Sequence, residues 1–284
     1  MKRYSIVAIC FILLFQGAGA QKGIHRVEGV YRLHMGAKDG CELWIVDGAV
    51  VRRDIYPEFL YGGNSQRYRF IPIHEIWIDN DVAAEEYRYT VAHELHEREL
   101  MARKGETYDA AHSSALAVER LMRQFDDSSA HSHEAVLARV SPTDFGGVKE
   151  IAELPDSISL RNIYRVPLGK RGDISVWVVD GAAMRRDIYP DFGLSANDLA
   201  CHFIPPNEIW IDGQISCEET EFSIATELYE RELMAKGKSY DDAYEQAISA
   251  VRESRKKTAD ASRRKLGIVI PKNLDRDVGT GDEK

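Results

Sequence analysis

The sequence predicts an α+β protein, a tandem repeat of two modules, each a small antiparallel sheet followed by a helical hairpin. Three observations predict it. Blocks of sequence recur at one fixed spacing. Each copy opens with short runs of β-formers bounded by turn residues. Each copy closes with two long stretches free of glycine and proline.

The repeat is explicit. Val46-Asp47-Gly48-Ala49 recurs as Val179-Asp180-Gly181-Ala182, and Arg52-Arg53-Asp54-Ile55-Tyr56-Pro57 as Arg185-Arg186-Asp187-Ile188-Tyr189-Pro190. Glu75-Ile76-Trp77-Ile78-Asp79 recurs as Glu208-Ile209-Trp210-Ile211-Asp212, and Glu97-Arg98-Glu99-Leu100-Met101 as Glu230-Arg231-Glu232-Leu233-Met234. All four pairs share an offset of 133 residues; one residue is then lost, so that Tyr108-Asp109 matches Tyr240-Asp241. Module one is expected at residues 24–125 and module two at 157–258, with a linker at 126–156 and a polar tail at 259–284.

Within module one, residues 43–46 form a short apolar β-run. Asp47-Gly48 follows and reads as a hairpin turn. Val50-Val51 leads into the Arg-Arg-Asp segment, which Pro57 ends, and Ile71 and Ile76-Trp77-Ile78 supply further strands. Residues 83–103, rich in Ala, Glu, Leu and Arg, predict a helix that Gly105 ends, and a second helix spans about residues 108–123. The linker carries Pro142, Gly146-Gly147 and Pro155, with one short helix expected at 134–140. The Arg-Arg-Asp motif occurs in both copies, which favours a structural ion-pair cluster over an anion site.

The N-terminus has the layout of a secretory signal peptide over residues 1–20: Met1-Lys2-Arg3, an apolar run at 6–15, then Ala18-Gly19-Ala20 before Gln21. The run is short for a bilayer span, which takes about 20 residues. The expected location is therefore secreted or periplasmic. A net charge of −9 argues against a nucleic-acid partner, and the basic stretch at 252–265 is interrupted by acids, as on a solvated helix end. After cleavage Cys41, Cys201 and Cys217 remain. Cys201 and Cys217 could bridge, although their counterparts Tyr68 and Ala84 cannot. No CxxC spacing exists, which argues against a thiolate zinc site.

The two copies serve as an internal control, because residues that the fold needs should appear in both. Module one holds His25, His34, His74, His93, His96 and His112, and module two only His202. His93 is matched by Thr226, His96 by Tyr229, His112 by Tyr244 and Glu119 by Val251, whereas Glu94 and Glu97 persist as Glu227 and Glu230. His131 and His133 fall in the linker and take no role. His93 and Glu97, four apart, share a helix face, while His96 could join them or point aside. Counted from the Gly105 tip at about 1.5 Å per residue, Glu97 comes level with His112 and His93 with Glu119. His93, Glu97, His112 and Glu119 are therefore the expected metal ligands. Their nitrogen-and-oxygen set suits Zn²⁺, with Fe, Mn or Ni as other candidates.

The segment Tyr89-Thr90-Val91-Ala92-His93-Glu94-Leu95-His96-Glu97, following an Ile-Trp-Ile-Asp strand, resembles the zincin metallopeptidases over about residues 71–120. The resemblance implies His93 as a zinc ligand, Glu94 as the catalytic general base, Glu97 at the second-ligand position and His112 as the third ligand. The match departs from the family at Glu97, where those enzymes usually carry histidine. The expected function is an exported zinc-dependent hydrolase, peptidase-like, with a peptide as the candidate substrate and an inactive second module. The alternative is a non-enzymatic envelope or secreted protein made of two interaction modules.

Overall fold

A computed structural model describes residues 29–126, 160 and 163–265. The signal segment, His25, His131, His133, the helix expected at 134–140, nearly all of the linker and the tail beyond 265 lie outside the described residues. The architecture is α+β, two four-stranded sheets each followed by two helices. Module one contains β1 (Tyr31–Lys38), β2 (Cys41–Val46), β3 (Gly62–Asn64), β4 (Glu75–Asp79), α1 (Tyr87–Glu99) and α2 (Tyr108–Phe125). Module two contains β5 (Tyr164–Arg171), β6 (Ile174–Val179), β7 (Ser195–Asn197), β8 (Glu208–Asp212), α3 (Cys217–Ala235) and α4 (Tyr240–Lys265). The last helix thus runs past the module boundary expected at 258.

Each sheet is mixed, which corrects the antiparallel expectation in detail. The order is β1-β2-β4-β3; β1–β2 and β3–β4 are antiparallel, but β2 and β4 are parallel, with Trp44 opposite Trp77. The reason lies at Asp47-Gly48. The segment is a helix start and not a hairpin: Val50 N donates to Asp47 Oδ1 at 2.9 Å. A short helix (Gly48–Val50) widening into a π-type turn (Val51–Ile55) carries the chain off the sheet, so β4 returns parallel. Gly48 is required by close approach, since a Cβ there would lie 1.8 Å from Asp79 Oδ1. The β1–β2 hairpin turns instead at Asp39-Gly40, both with positive φ, as a two-residue hairpin loop demands. Ile71 is buried but lies outside any strand, and the short β3 takes the edge position.

Alternation along the strands splits the core in two. Val46, Val51, Phe59, Ile71 and Trp77 pack on one face of the sheet. Leu43, Ile76 and Ile78 pack on the other, against Val91 and Leu95 of α1. Each such buried side chain contributes roughly 1.5–3 kcal/mol. Module two repeats the plan, with Val176, Ile209 and Ile211 against Ile224. Cys41, Cys201 and Cys217 are all free thiols, so the bridge considered above is not formed.

The modules join through reciprocal contacts, as across a two-fold axis. Val82 and Ile215 form an antiparallel bridge, with Ala83 N donating to Gln214 O and Ser216 N to Asp81 O, both at 2.8 Å. Arg52, 2% exposed, pairs with Asp79 and Asp81 of its own module and reaches Glu219 of the other at 3.1 Å. Arg185 pairs with Asp212 at 2.8 Å and reaches Glu86 at 3.2 Å. Arg120 donates to the carbonyls of Arg186 and Asp187, and Arg252 to those of Arg53 and Asp54. The Arg-Arg-Asp repeat is therefore structural, and it welds the two copies together.

Candidate metal centre

Helix α1 is buried along most of its length, between its sheet and α2, and its buried residues include His93, Glu94, His96 and Glu97. Polar groups so placed need partners. Asn64, at the end of β3, serves two of them: its amide nitrogen donates to Glu94 Oε2 and to Glu97 Oε1, each at 2.8 Å. Helix α2 starts at an N-cap, Ala110 N donating to Thr107 Oγ1 at 3.4 Å, and brings His112 over the same region. The His112 ring stacks on Tyr108, 5.2 Å between centroids.

His93 Nε2, His112 Nδ1 and Glu97 Oε2 form a triangle. The sides are 3.1 Å between the imidazole nitrogens, 3.2 Å from His112 to Glu97 and 3.6 Å from His93 to Glu97. These three residues form a group that could hold a metal ion. Four ligands at 2.0–2.1 Å from Zn²⁺ in a tetrahedron stand about 3.3 Å apart. The triangle therefore has the size of one tetrahedral face, and the donors fit the ion chemically.

Compared with protein-family models, characterised proteins and solved structures, the chain matches none. The geometry of the site has to carry its own interpretation.

Glu119 does not join the triangle. Its Oε2 lies 3.1 Å from His93 Nδ1, the ring nitrogen opposite the triangle, and Arg123 donates to Oε1 at 2.7 Å. The levels expected along the two helices are right, but Glu119 reaches the far side of the ring. A carboxylate there fixes the ring's orientation and tautomer. His112 has a similar neighbour at the outer limit of hydrogen bonding, Asp191 Oδ1 at 3.5 Å from Nε2, and that residue comes from module two. His96 points aside, with Nε2 2.8 Å from Ser114 Oγ. His34 pairs with Glu42 at an exposed position, and His74 meets Arg98.

The electrostatics follow from these pairs. Burial pushes the Glu97 carboxyl up, but hydrogen bonds from His112 and His93 outweigh it and hold the pKa at about 2. Burial likewise opposes ionisation of Glu119, yet His93 and Arg123 bring it to about 2. Burial acts against the His112 cation, and Asp191 and Glu97 overcome it, raising the pKa to about 9. His93 is raised in the same manner by Glu119 and Glu97. Glu94 is pushed to about 7, first by burial and then by the charge on Glu97.

Module two keeps the frame and lacks the imidazoles. Asn197 donates to Glu227 at 2.9 Å and to Glu230 at 2.7 Å, reproducing the Asn64 arrangement. Burial and the neighbouring Glu227 push Glu230 up to about 8. One further difference was missed in the sequence. Ser195 donates to Glu227 Oε1 at 2.7 Å, but module one has Gly62 at that position. A Cβ on Gly62 would meet Thr90 Cγ2 at 2.5 Å. Among the described residues nothing donates to Glu94 Oε1. Asn64 and the Gly62–Ser195 difference were readable from the repeat. Asp191 was not, because it arrives from the other module.

The site opens on a cleft of about 290 Å³. Module one supplies Tyr61, Arg67, Tyr68 and Tyr108, and module two closes the far wall with Pro190, Asp191, Phe192 and Gly193. Among the described residues no helix is long and apolar enough to cross a membrane.

Proposed function

We propose that the protein is an exported zinc-dependent hydrolase of peptidase type, whose second module is catalytically inactive and forms one wall of the active-site cleft. The observation that carries this reading is the His93–Glu97–His112 triangle, sized for a tetrahedral ion and open to a cleft in which Glu94 presents an unpaired oxygen. His93, Glu97 and His112 would hold the ion. Three protein ligands leave a fourth position free, as catalytic zinc sites do and closed structural sites do not. When bound, Zn²⁺ supplies Lewis acidity that polarises a carbonyl and acidifies water.

The chain's own residues do the remainder. Glu119 and Asp191 orient the two imidazoles. Asn64 holds Glu97 for the ion and Glu94 beside it, with Glu94 Oε1 free to take a proton. With its pKa near 7, Glu94 can accept a proton from attacking water and pass it on at neutral pH. Water oxygen bonds to the carbonyl carbon, the carbon–nitrogen bond breaks, and the proton leaves with the amine. Loss of His93, His112, Glu119 and an unpaired acid from module two accounts for its silence. Nothing in the acidic chain suits a nucleic-acid partner, and the leader-like segment fits export.

Metal content of the purified, untagged protein, together with a panel of peptides, esters and cell-wall fragments, tests the reading. About one zinc per chain is expected, with turnover that falls about 10²–10⁴-fold in Glu94→Gln while the metal stays. His93→Ala should lose metal and turnover together. A metal-loaded, fully active Glu94→Gln variant excludes Glu94 as the base, and a protein that takes up no transition metal excludes the site.

A further inference from the structure

We propose that Arg67 is the residue by which the cleft recognises its ligand, and that the ligand carries a carboxylate. The inference rests on the proposed hydrolase site for its setting, but its own support is the placement of Arg67. The guanidinium carbon lies 4.2 Å from the centroid of the Tyr108 ring and 5.3 Å from that of Tyr68. The side chain is exposed, and two aromatic rings flank its guanidinium at cation–π distance. Tyr108 in turn stacks on His112, so the cation stands two ring contacts from a metal-ligating imidazole.

The other charges of the cleft are engaged, Glu58 by the Tyr56 hydroxyl, which donates to it at 3.1 Å. Glu97 and Glu119 face imidazoles, Glu94 is held by Asn64, and Asp191 faces His112. Arg185 is tied to Asp212 and Glu86. Arg67 has no carboxylate within ion-pair distance among the described residues, its neighbours being Tyr108, Tyr68 and Tyr56. A guanidinium fork flanked by two rings and without an acid partner, lining a cleft, matches a planar carboxylate by two parallel hydrogen bonds.

The repeat supplies an independent argument. The turn that carries Arg67 is built identically in both modules. Gln66 N and Arg67 N donate to Asn64 Oδ1 at 2.9 and 3.3 Å, and Leu199 N and Ala200 N donate to Asn197 Oδ1 at 3.0 and 3.1 Å. The backbone therefore needs no arginine at this position, because module two folds it with Ala200. Tyr68 is likewise replaced, by Cys201. Arginine and the Tyr68 ring are present only where the two imidazoles are present, while the Tyr108 ring persists in module two as Tyr240. Asn64 also ties the turn to the reaction centre, since the side chain that caps the backbone under Arg67 donates to both Glu94 and Glu97.

The test compares ligands that differ in one charge. Full-length protein, zinc-loaded and metal-free, is titrated calorimetrically with N-acetyl-alanyl-leucine as the free acid, the same peptide as its C-terminal amide, and succinate. The wild type should bind the free acid about 10–100-fold more tightly than the amide, the range of a charge-assisted hydrogen-bond pair. Arg67→Ala should abolish that preference and Arg67→Lys should keep part of it, with thermal unfolding confirming that each variant is folded. Succinate binding comparable to that of the free peptide would assign the site to small acids, and peptide binding alone would assign it to chain ends. Equal binding of acid and amide, binding of neither, or a preference surviving in Arg67→Ala overturns the proposal. The metal-free arm scores Arg67 even if no zinc is taken up, so failure of the metal reading and failure of this one remain separable.

Discussion

His93 Nδ1 lies 3.1 Å from Glu119 Oε2, while Nε2 of the same ring faces Glu97 and His112. A carboxylate on the far nitrogen raises the basicity of the near one and fixes the ring plane. Glu119→Gln keeps the shape and removes the charge. The expected outcome is a metal affinity about 10–100-fold weaker in a chelator competition assay, with circular dichroism showing that the variant is folded. An affinity equal to wild type would mean that Glu119 merely pairs with Arg123.

Metal uptake should release protons. In the metal-free protein the His112 pKa stands at about 9, so that ring is protonated at pH 7, and the His93 pKa is raised as well by Glu119 and Glu97. Binding must expel at least one proton from the pair. Affinity should therefore climb with pH, by about tenfold per unit for each proton released, and level off above about pH 9. Isothermal titration in two buffers of different ionisation enthalpy counts the protons directly; a count of zero would contradict the assigned ligands.

Stability of the metal-free protein should depend on pH in the same region. The folded-state pKa of His112 is raised, so its contribution is complete below about pH 6.5 and is lost as the pH rises through about 9. Glu97 has a lowered pKa, so its contribution is present above about pH 4.5 and is lost as the pH falls through about 2. Denaturant midpoints of the metal-free protein should fall between pH 7 and pH 10, and His112→Ala should flatten that decline.

Glu230 in module two has the opposite sign. Burial without an imidazole partner raises its pKa to about 8, so ionisation costs stability as the pH rises from about 4.5 to about 8. Glu230→Gln keeps an acceptor for Asn197 and removes that cost. The variant should unfold at a higher temperature at pH 7.5 than wild type, with the gain shrinking at pH 5. Glu97→Gln, at the matching position in module one, should instead lose metal.

Arg185 crosses between the modules to Glu86, which Arg123 also holds at 2.5 Å. Arg185→Ala leaves Asp212 buried with its charge uncompensated, and the expected loss is about 3–5 kcal/mol in urea unfolding. Arg186→Ala, at the half-exposed neighbour, should cost less than about 1 kcal/mol. Because the buried pairs are reciprocal, both modules should unfold in one transition.

The sequence by itself determined the repeat, the α+β class, the two helices of each module with the Gly105 terminator, and the pairing of His93, Glu97 and His112. Each of these follows from short-range periodicity or from comparison of two copies of one fold, and both are written along the chain. Tertiary structure decided the rest. The parallel β2–β4 pair depends on where the chain goes after Asp47, and an Asp-Gly step can serve a turn or a helix cap until Asp79 packs against Gly48. Glu119 sits at the predicted level, but which ring nitrogen it meets depends on the side-chain geometry between two packed helices. Asp191 and the Pro190–Gly193 wall reach the site from the other module, and no spacing within module one could announce them. The Arg-Arg-Asp motif was visible as a motif, yet its work, a buried arginine meeting the glutamate of the opposite copy, exists only once two copies are folded face to face.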